Sequence, residues 1–250
     1  MFVWSGAVPT GGHAKALPAL VTETSREGRE RCGGAEGRER CGGAVVTVGL
    51  DVVEVESRLV SGELACPACQ GRLGPWGWAR RRRLREETGA AAVVLRPRRS
   101  RCRACGSSHV LLPLIALVRR ADVVEVIGQA LVAVAGGAGA RRAAELVGRP
   151  VETVRGWLRR FRGRAAWLRM VFTALLVEVA LDPVVPAVAG CSVADAVSAI
   201  AGAAVAARSR WPQALGVTVG AVPVWRFAAA VSHGRLLAPG WPPASSVPTG

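Results

Sequence analysis

The sequence predicts a mainly α-helical protein with one small β-rich segment near its middle, and three observations indicate this fold class. Two Cys-x-x-Cys pairs, Cys66/Cys69 and Cys102/Cys105, flank residues with the turn-and-strand pattern of a small sheet. Residues 141–161 then have the helix–glycine–proline–helix pattern of a helix-turn-helix. Ala- and Val-rich segments beyond them predict further helices. The predicted fold is therefore mainly α, with a small β zinc ribbon followed by a helix-turn-helix and further C-terminal helices.

The paired cysteines predict a structural Zn²⁺ site. Each Cys-x-x-Cys turn brings two sulfurs to one ion, so Cys66, Cys69, Cys102 and Cys105 supply a closed tetrahedral shell without a position for water. A redox dithiol pair or disulfides are the alternatives, but a redox motif usually occurs singly beside a βαβ pattern. His109 lies four residues beyond Cys105, and we expect it to be a non-ligand because four cysteines already fill the shell.

Composition and the positions of glycine and proline divide the chain into five predicted segments. The segments are 1–45, a low-complexity, disordered extension; 46–113, the zinc ribbon with a leading strand; 119–165, the helix-turn-helix domain; 166–238, an Ala/Val-rich helical region; and 239–250, a disordered tail. The extension contains a perfect nine-residue tandem repeat, Glu27–Ala35 followed by Glu36–Ala44. Residues 45–64 predict one or two short strands, or one strand that leads into the ribbon.

Residues 141–161 carry the second motif. A first helix over 141–147 is expected to end at Gly148, and Pro150 starts a second helix, where its missing amide hydrogen has no cost. The predicted miniature core is Ala144, Leu146, Val147, Val154, Trp157, Leu158 and Phe161. The predicted recognition positions are Val151, Glu152, Thr153, Arg155, Gly156 and Arg159, with Arg141, Arg142 and Arg160 near a DNA backbone. An ordinary helical hairpin with a charged face is the alternative. A helix over 121–135 is predicted to precede this motif.

The charge distribution predicts a polyanionic partner. The formal charge of +15 comes entirely from two segments: residues 66–110 have eleven arginines against two acids, and residues 141–164 have eight against two. A rigid metal site can present such charges together to a phosphate ladder, although a run of like charges is often only a solvated surface. The ribbon arginines predicted to contact DNA phosphates are Arg80, Arg81, Arg82, Arg83, Arg98, Arg99 and Arg101.

Other features bear on compartment and on catalysis. Seven cysteines without a secretory signal predict a reducing compartment, and no apolar stretch convincingly reaches the roughly 20 residues that a bilayer requires. We therefore expect a cytoplasmic, nucleoid-associated protein that does not enter a membrane. Residues 171–250 contain only Glu178, Asp182 and Asp195 as acids. No enzyme is predicted, because these three lie in helical sequence and not on a carboxylate-bearing sheet.

The sequence from Arg98 to Pro113 resembles the second knuckle of a bacterial family in which a basic zinc ribbon precedes a helix-turn-helix. This arrangement is similar to the N-terminal DNA-binding regions of insertion-sequence transposases and to that of stand-alone relatives. The resemblance covers about residues 60–165. It implies binding of double-stranded DNA, for instance at the ends of a mobile element, and it carries over no catalytic activity.

These observations lead to one hypothesis and two alternatives. We expect a non-enzymatic DNA-binding protein in which the ribbon clamps phosphates and the second helix of the helix-turn-helix reads the major groove. The C-terminal helices are expected to form a homodimer, since a single helix-turn-helix usually needs a second half-site. The alternatives are a truncated transposase that lacks its catalytic domain and a zinc-ribbon module that binds protein or RNA.

Overall fold

The computed structural model describes residues 44–87, 90–215 and 223–239, and for residue 44 and residues 211–215 the backbone alone. The described strands are β1 (Ala44–Val48), β2 (Leu73–Trp78), β3 (Arg82–Leu84), β4 (Val93–Leu95), β5 (Arg98–Cys102) and β6 (Ser108–Pro113). The described helices are α1 (Val52–Ser61), α2 (Val124–Ala135), α3 (Ala140–Val147), α4 (Val151–Arg162), α5 (Ala165–Val179), α6 (Ser192–Leu215) and α7 (Val224–Val231). Helices thus outweigh strands in a mixed α and β fold. Nearly all of the predicted extension 1–45 and of the predicted tail 239–250 lies outside the described residues.

The strands form two small sheets. The first, which we call the cysteine sheet, has the order β1-β6-β5-β2, with β1 parallel to β6 and the other neighbours antiparallel. The second is the antiparallel pair β3-β4, which we call the arginine hairpin. The successive strands β4 and β5, which lead back to the second cysteine pair, belong to different sheets. They separate at Pro97, whose carbonyl accepts a hydrogen bond from the amide of Ala79 at 2.8 Å.

The segment between the first strand and the cysteines differs from the prediction. Strand β1 is present, but the second apolar run forms the helix α1 instead of a strand. The side chain of Asp51 starts this helix by accepting hydrogen bonds from the amides of Val53 at 2.9 Å and Glu54 at 3.2 Å. Gly62 ends it in the left-handed region at φ 75°. Capping at both ends and the burial of Leu59 outweigh the β-preference of the valines.

Helices α3 and α4 are joined by a short turn at the predicted position. Gly148 ends α3 at φ 60°, a left-handed conformation that glycine adopts without steric cost, and α4 begins directly after Pro150. The predicted core residues on both helices are buried, except for Leu146, which is 65% exposed. Its inclusion in the core was wrong, because the apolar face of α3 runs through Ala143, Ala144 and Val147 instead. The preceding helix α2 starts at Val124, three residues later than predicted.

One hydrophobic core holds the helical part together. It extends from Leu84 on the arginine hairpin through α2 to α7 and includes Leu237, so it does not separate residues 119–165 from residues 166–238. Helix α6, with 24 residues, is the longest of the described helices. Helices α2 and α7 approach closely at Gly128, where a Cβ atom would lie 2.1 Å from Nε1 of Trp225. Within the described ranges, no helix combines the length and apolar character that crossing a membrane requires.

Candidate metal centre and basic surface

The two Cys-x-x-Cys turns have the same backbone geometry. In the first, the amide of Gln70 donates to the carbonyl of Cys66 at 2.8 Å, and the Cys66 amide donates to Gly71 at 2.8 Å. In the second, the amide of Gly106 donates to the carbonyl of Cys102 at 3.1 Å, and the Cys102 amide donates to Ser107 at 2.8 Å. The fifth residue of each turn has a positive φ, 59° in the first and 74° in the second. The paired turns are therefore two copies of one local structure that face each other.

The four predicted ligands are brought together. The sulfurs of Cys66, Cys69, Cys102 and Cys105 all lie within 4.8 Å of one another. The Cys66–Cys105 and Cys69–Cys102 sulfur pairs are 3.8 Å and 3.4 Å apart. Sulfurs bound at about 2.3 Å around one tetrahedral ion are about 3.8 Å apart, so the four thiolates fit a structural metal ion. The predicted grouping is confirmed, and the donor set suits a soft, borderline ion.

Burial and hydrogen bonds set different proton affinities within the cluster. Burial is the main cause that raises the pKa of the Cys66 thiol to about 12. Hydrogen bonds from Ser107 lower the pKa of Cys105 to about 6. A bound cation would stabilise all four thiolates, since a coordinating thiol is deprotonated. Without a metal ion, Cys66 is therefore a thiol at neutral pH, whereas Cys105 ionises readily to a thiolate.

Two neighbours support the cluster without belonging to it. His109 is buried, and its Nε2 lies 3.3 Å from the sulfur of Cys66, a distance that suits a hydrogen bond to a thiolate. This position agrees with the expected non-ligand role, because it resembles the outer partners that orient metal ligands. Gly71 lies between the turns, where a Cβ atom would be 2.7 Å from Ala104 Cβ and 3.1 Å from Cys102 Sγ. Only glycine fits between the two turns there.

The structure divides the ribbon arginines into exposed and internal groups. The exposed ones are Arg80, Arg81, Arg83 and Arg101. Arg82 shares the inner face of β3 with buried Leu84, and it donates hydrogen bonds to the carbonyls of Leu117 and Arg120 at 3.5 Å and 2.6 Å. Burial accordingly lowers the pKa of Arg82. The Arg82 guanidinium is therefore occupied by contacts within the chain, and its contact with DNA phosphates stays a prediction.

Arg98 and Arg99 are also partly committed. The Arg98 guanidinium donates to both carboxylate oxygens of Glu56, at 2.7 Å and 2.8 Å, and so attaches α1 to the cysteine sheet. Half-buried Arg99 approaches the Ser108 hydroxyl at 3.5 Å. The charge of Arg98 is therefore already paired within the chain, and its contact with DNA phosphates stays a prediction.

Two tryptophans on β2 are exposed and stacked with arginines. Trp76 and Trp78 are 51% and 44% exposed. The Arg101 guanidinium carbon lies 4.7 Å from the centroid of a Trp76 ring, and that of Arg98 lies 4.8 Å from a Trp78 ring. These distances are typical of cation–π contacts. The cysteine sheet therefore presents two exposed aromatic rings, one beside the exposed Arg101 and one beside the ion-paired Arg98.

Asp122 and Arg149 form a buried link that sequence reasoning missed. The carboxylate of Asp122 is 2% exposed and accepts from Arg85 at 2.8 Å and from Arg149 at 2.6 Å. Arg149 also donates to the carbonyl of Glu86. The arginine hairpin, the start of α2 and the α3–α4 turn therefore meet at one carboxylate. The only signal in the sequence is an acid near the start of a predicted helix, which is too common to predict this link.

Helix α4 presents a basic face to solvent. Arg155, Arg159 and Arg160 are exposed, while Val151 and Thr153 are half-buried. The Arg155 guanidinium and the carboxylate of Glu152, also exposed, are 2.5 Å apart. On α3, both Arg141 and Arg142 are exposed. The exposed residues of α4 therefore form one polar face opposite its buried residues.

Comparison with known proteins identifies no relative. No protein-family model matches the chain, and neither the curated proteins nor the solved structures contain a match.

Proposed function

We propose that this protein binds double-stranded DNA without acting as an enzyme, and that a structural Zn²⁺ ion stabilises its cysteine sheet. The proposal depends mainly on the α3–α4 pair. These helices are joined by a tight glycine turn, bury their apolar faces and leave α4 with an exposed basic face. The order helix, glycine turn, helix is that of a helix-turn-helix, which places its second helix in the major groove.

The exposed arginines supply the electrostatic part of the proposal. Arg80, Arg81 and Arg83 protrude from the region of the arginine hairpin, and Arg141 and Arg142 protrude from α3. Arginines of this kind neutralise phosphates and position a protein on a duplex without reading its sequence. Arg155 on α4 is proposed to reach base edges, because arginine binds guanine through two hydrogen bonds. The metal would hold the cysteine turns in place and take no part in contacts with DNA.

A second candidate function is binding of RNA or another single strand through the cysteine sheet. The observation that favours it is the exposed pair Trp76 and Trp78, each with an arginine stacked on it. Unpaired bases stack on exposed aromatic rings, and arginines provide the charge that follows the backbone. Duplex DNA offers no unstacked base to such a surface. A direct comparison of duplex and single-strand affinities therefore separates the two candidates.

Homodimerisation and the link to a mobile element remain part of the proposal. The connection between α5 and α6 exposes Leu181, Val184 and Val188, which provide apolar surface for a second copy. A truncated transposase is the less favoured form of the proposal. Glu178 and Asp182 are exposed, and buried Asp195 accepts the amide of Ala189 at 2.7 Å, so one of the three C-terminal acids already has a structural role.

The direct test is a titration of the zinc-loaded chain with random duplexes and single strands of equal length at several salt concentrations. We expect duplex affinity to fall steeply with salt, with a log–log slope of about −0.9 for each phosphate neutralised. Preference for the single strand would favour the second candidate. No salt-dependent binding to any nucleic acid would exclude both.

A matched pair of substitutions tests the division between reading and positioning. Arg155→Ala should weaken a preferred duplex by about 1–3 kcal/mol and random duplexes less, because a base contact is lost. Arg81→Ala should weaken both alike and reduce the salt slope by about one. Both side chains are exposed, so neither change should disturb the fold. Equal losses on preferred and random duplexes for both variants would contradict the division.

A further inference from the structure

A concave site outside the metal centre is lined by four arginines. Arg119, Arg120, Arg160 and Arg164 surround a surface cavity of about 460 Å³, together with the chain at residues 237–239. Arg119 and Arg120 follow β6, Arg160 is in the last turn of α4, and Arg164 directly precedes α5. No lining residue is acidic. We call this site the arginine pocket.

The backbone is held in a defined position at two walls of the pocket, one at Arg164 and one at Arg119. The Arg164 guanidinium donates to the carbonyl of Arg235 at 2.6 Å and also to that of Ala238, so it holds the segment after α7 against the pocket. The backbone of Arg119 adopts φ 59°, a left-handed conformation that is unfavourable for a residue with a side chain. Unlike a run of arginines on an open helix face, these side chains come together from two parts of the sequence, residues 119–120 and residues 160–164.

Three of the four arginine charges in the pocket are not compensated by ion pairs within the described part of the protein. There, Arg119, Arg120 and Arg160 form no ion pair. Nε of Arg120 is buried without a hydrogen-bond partner among the described groups. Burial, followed by repulsion from Arg160 and Arg119, lowers the pKa of Arg120. Convergence of like charges around a buried donor is unfavourable unless an anion accepts from them.

We infer that the arginine pocket binds the phosphate group of a phosphorylated ligand. Phosphate presents several acceptor oxygens to planar guanidinium forks, and its double negative charge offsets more of the repulsion than a carboxylate does. The cavity is larger than a phosphate ion, so there is room for the organic group that a phosphate ester carries. The bound phosphate belongs either to a free phosphate ester or to a nucleic-acid backbone. The inference does not depend on the proposed DNA binding.

The test uses the full, metal-loaded chain and inorganic phosphate as the probe. The melting temperature is measured against phosphate concentration, with chloride added to hold ionic strength constant, and a saturable rise is expected. Arg160→Gln should raise the phosphate Kd about tenfold or more, since it removes a charge-assisted hydrogen bond. The matched control is Arg162→Gln, which removes the same charge from the same exposed turn of α4 outside the pocket and should leave the Kd unchanged.

A second variant and a second titration complete the design. Arg119→Gln removes an exposed side chain from another wall and should weaken phosphate as Arg160→Gln does. Absence of a saturable response, or equal weakening by Arg162→Gln, would overturn the inference. If the phosphate comes from nucleic acid, phosphate should compete with duplex DNA and Arg160→Gln should reduce the salt slope by about one. If it comes from a free ester, duplex binding should be unchanged. Failure of the chain to bind DNA would leave the phosphate result intact.

Discussion

The cysteine sheet and the helical region are stabilised in different ways. Among the described residues, the cluster around the cysteine sheet contains seven buried apolar residues, two of which are the candidate metal ligands Cys66 and Cys102. The helical core contains 36. A cluster of seven residues is too small to support a fold by apolar burial, whereas the larger core can. Folding of the first region is therefore expected to depend on metal binding, and folding of the second on packing.

The two regions are connected, and the connection does not pass through the metal. The arginine hairpin is inserted between the two Cys-x-x-Cys turns, yet its Leu84 belongs to the helical core. Its neighbour Arg85 pairs with buried Asp122 at the start of α2. An insertion in the metal region is thus anchored in the packing region, so damage to one region can be separated from damage to the connection.

The largest effect is expected from Cys102→Ser. The structural Zn²⁺ of zinc-finger peptides contributes about 10–16 kcal/mol at neutral pH, and loss of one of four thiolates removes much of that binding energy. We expect bound zinc to fall and amide hydrogens of residues 64–78 and 98–111 to exchange rapidly, while the arginine hairpin, α2, α5 and α6 keep their protection. Elemental analysis and hydrogen exchange measure the two effects. The control is Cys191→Ser, an exposed cysteine outside the cluster. Unchanged zinc content would refute the site.

The connection is tested by Asp122→Asn. This change leaves Arg149, whose side chain is 8% exposed, without its charge partner, and breaking a buried pair costs roughly 3–5 kcal/mol. Urea unfolding should show that loss of stability. Hydrogen exchange should increase in the arginine hairpin while zinc content is retained. Glu125→Gln is the control, since its pairing with Arg226 is partly exposed and is worth at most about 1 kcal/mol. Equal losses for both variants would show that Asp122 is not the link.

The smallest effect concerns Glu56, which attaches α1 to the cysteine sheet. The hydrogen bonds from Arg98 are the main cause that lowers the pKa of Glu56 from its ordinary value of 4.5. A carboxylate with a lowered pKa stabilises the fold above that ordinary value and loses its contribution as the pH falls through its folded pKa. Glu56→Gln should therefore cost under about 1 kcal/mol at pH 7, since Glu56 is 38% exposed, and the difference should vanish in acid.

Urea unfolding of the wild type and the variant at several pH values measures this difference. Glu54→Gln removes a carboxylate from the same helix that forms no ion pair with described residues, and it serves as the control. A difference between Glu56→Gln and the wild type that stays constant from pH 7 into acid would contradict the ion-pair explanation.

Local patterns predicted the parts of the fold that depend on a few neighbouring residues. Each Cys-x-x-Cys turn depends on fewer than ten neighbouring residues. The same holds for Gly148 and Pro150, which end α3 and start α4. Prediction was wrong for α1, where valines suggested a strand but the Asp51 cap and Gly62 formed a helix. It was also wrong for Leu146, since a helix of eight residues leaves little periodicity to separate its two faces.

The sequence by itself determined the four candidate ligands, the two basic segments and the helical character of the C-terminal half. Each of these depends only on composition or on the spacing of nearby residues. Only the tertiary structure decided which arginines are available. Arg82 and Arg98 are held inside the fold, Asp122 joins two regions, and Arg120 converges with Arg160 on one pocket. The physical reason is that a charge is neutralised, buried or exposed by groups distant in the sequence, and the chain must fold before those groups meet.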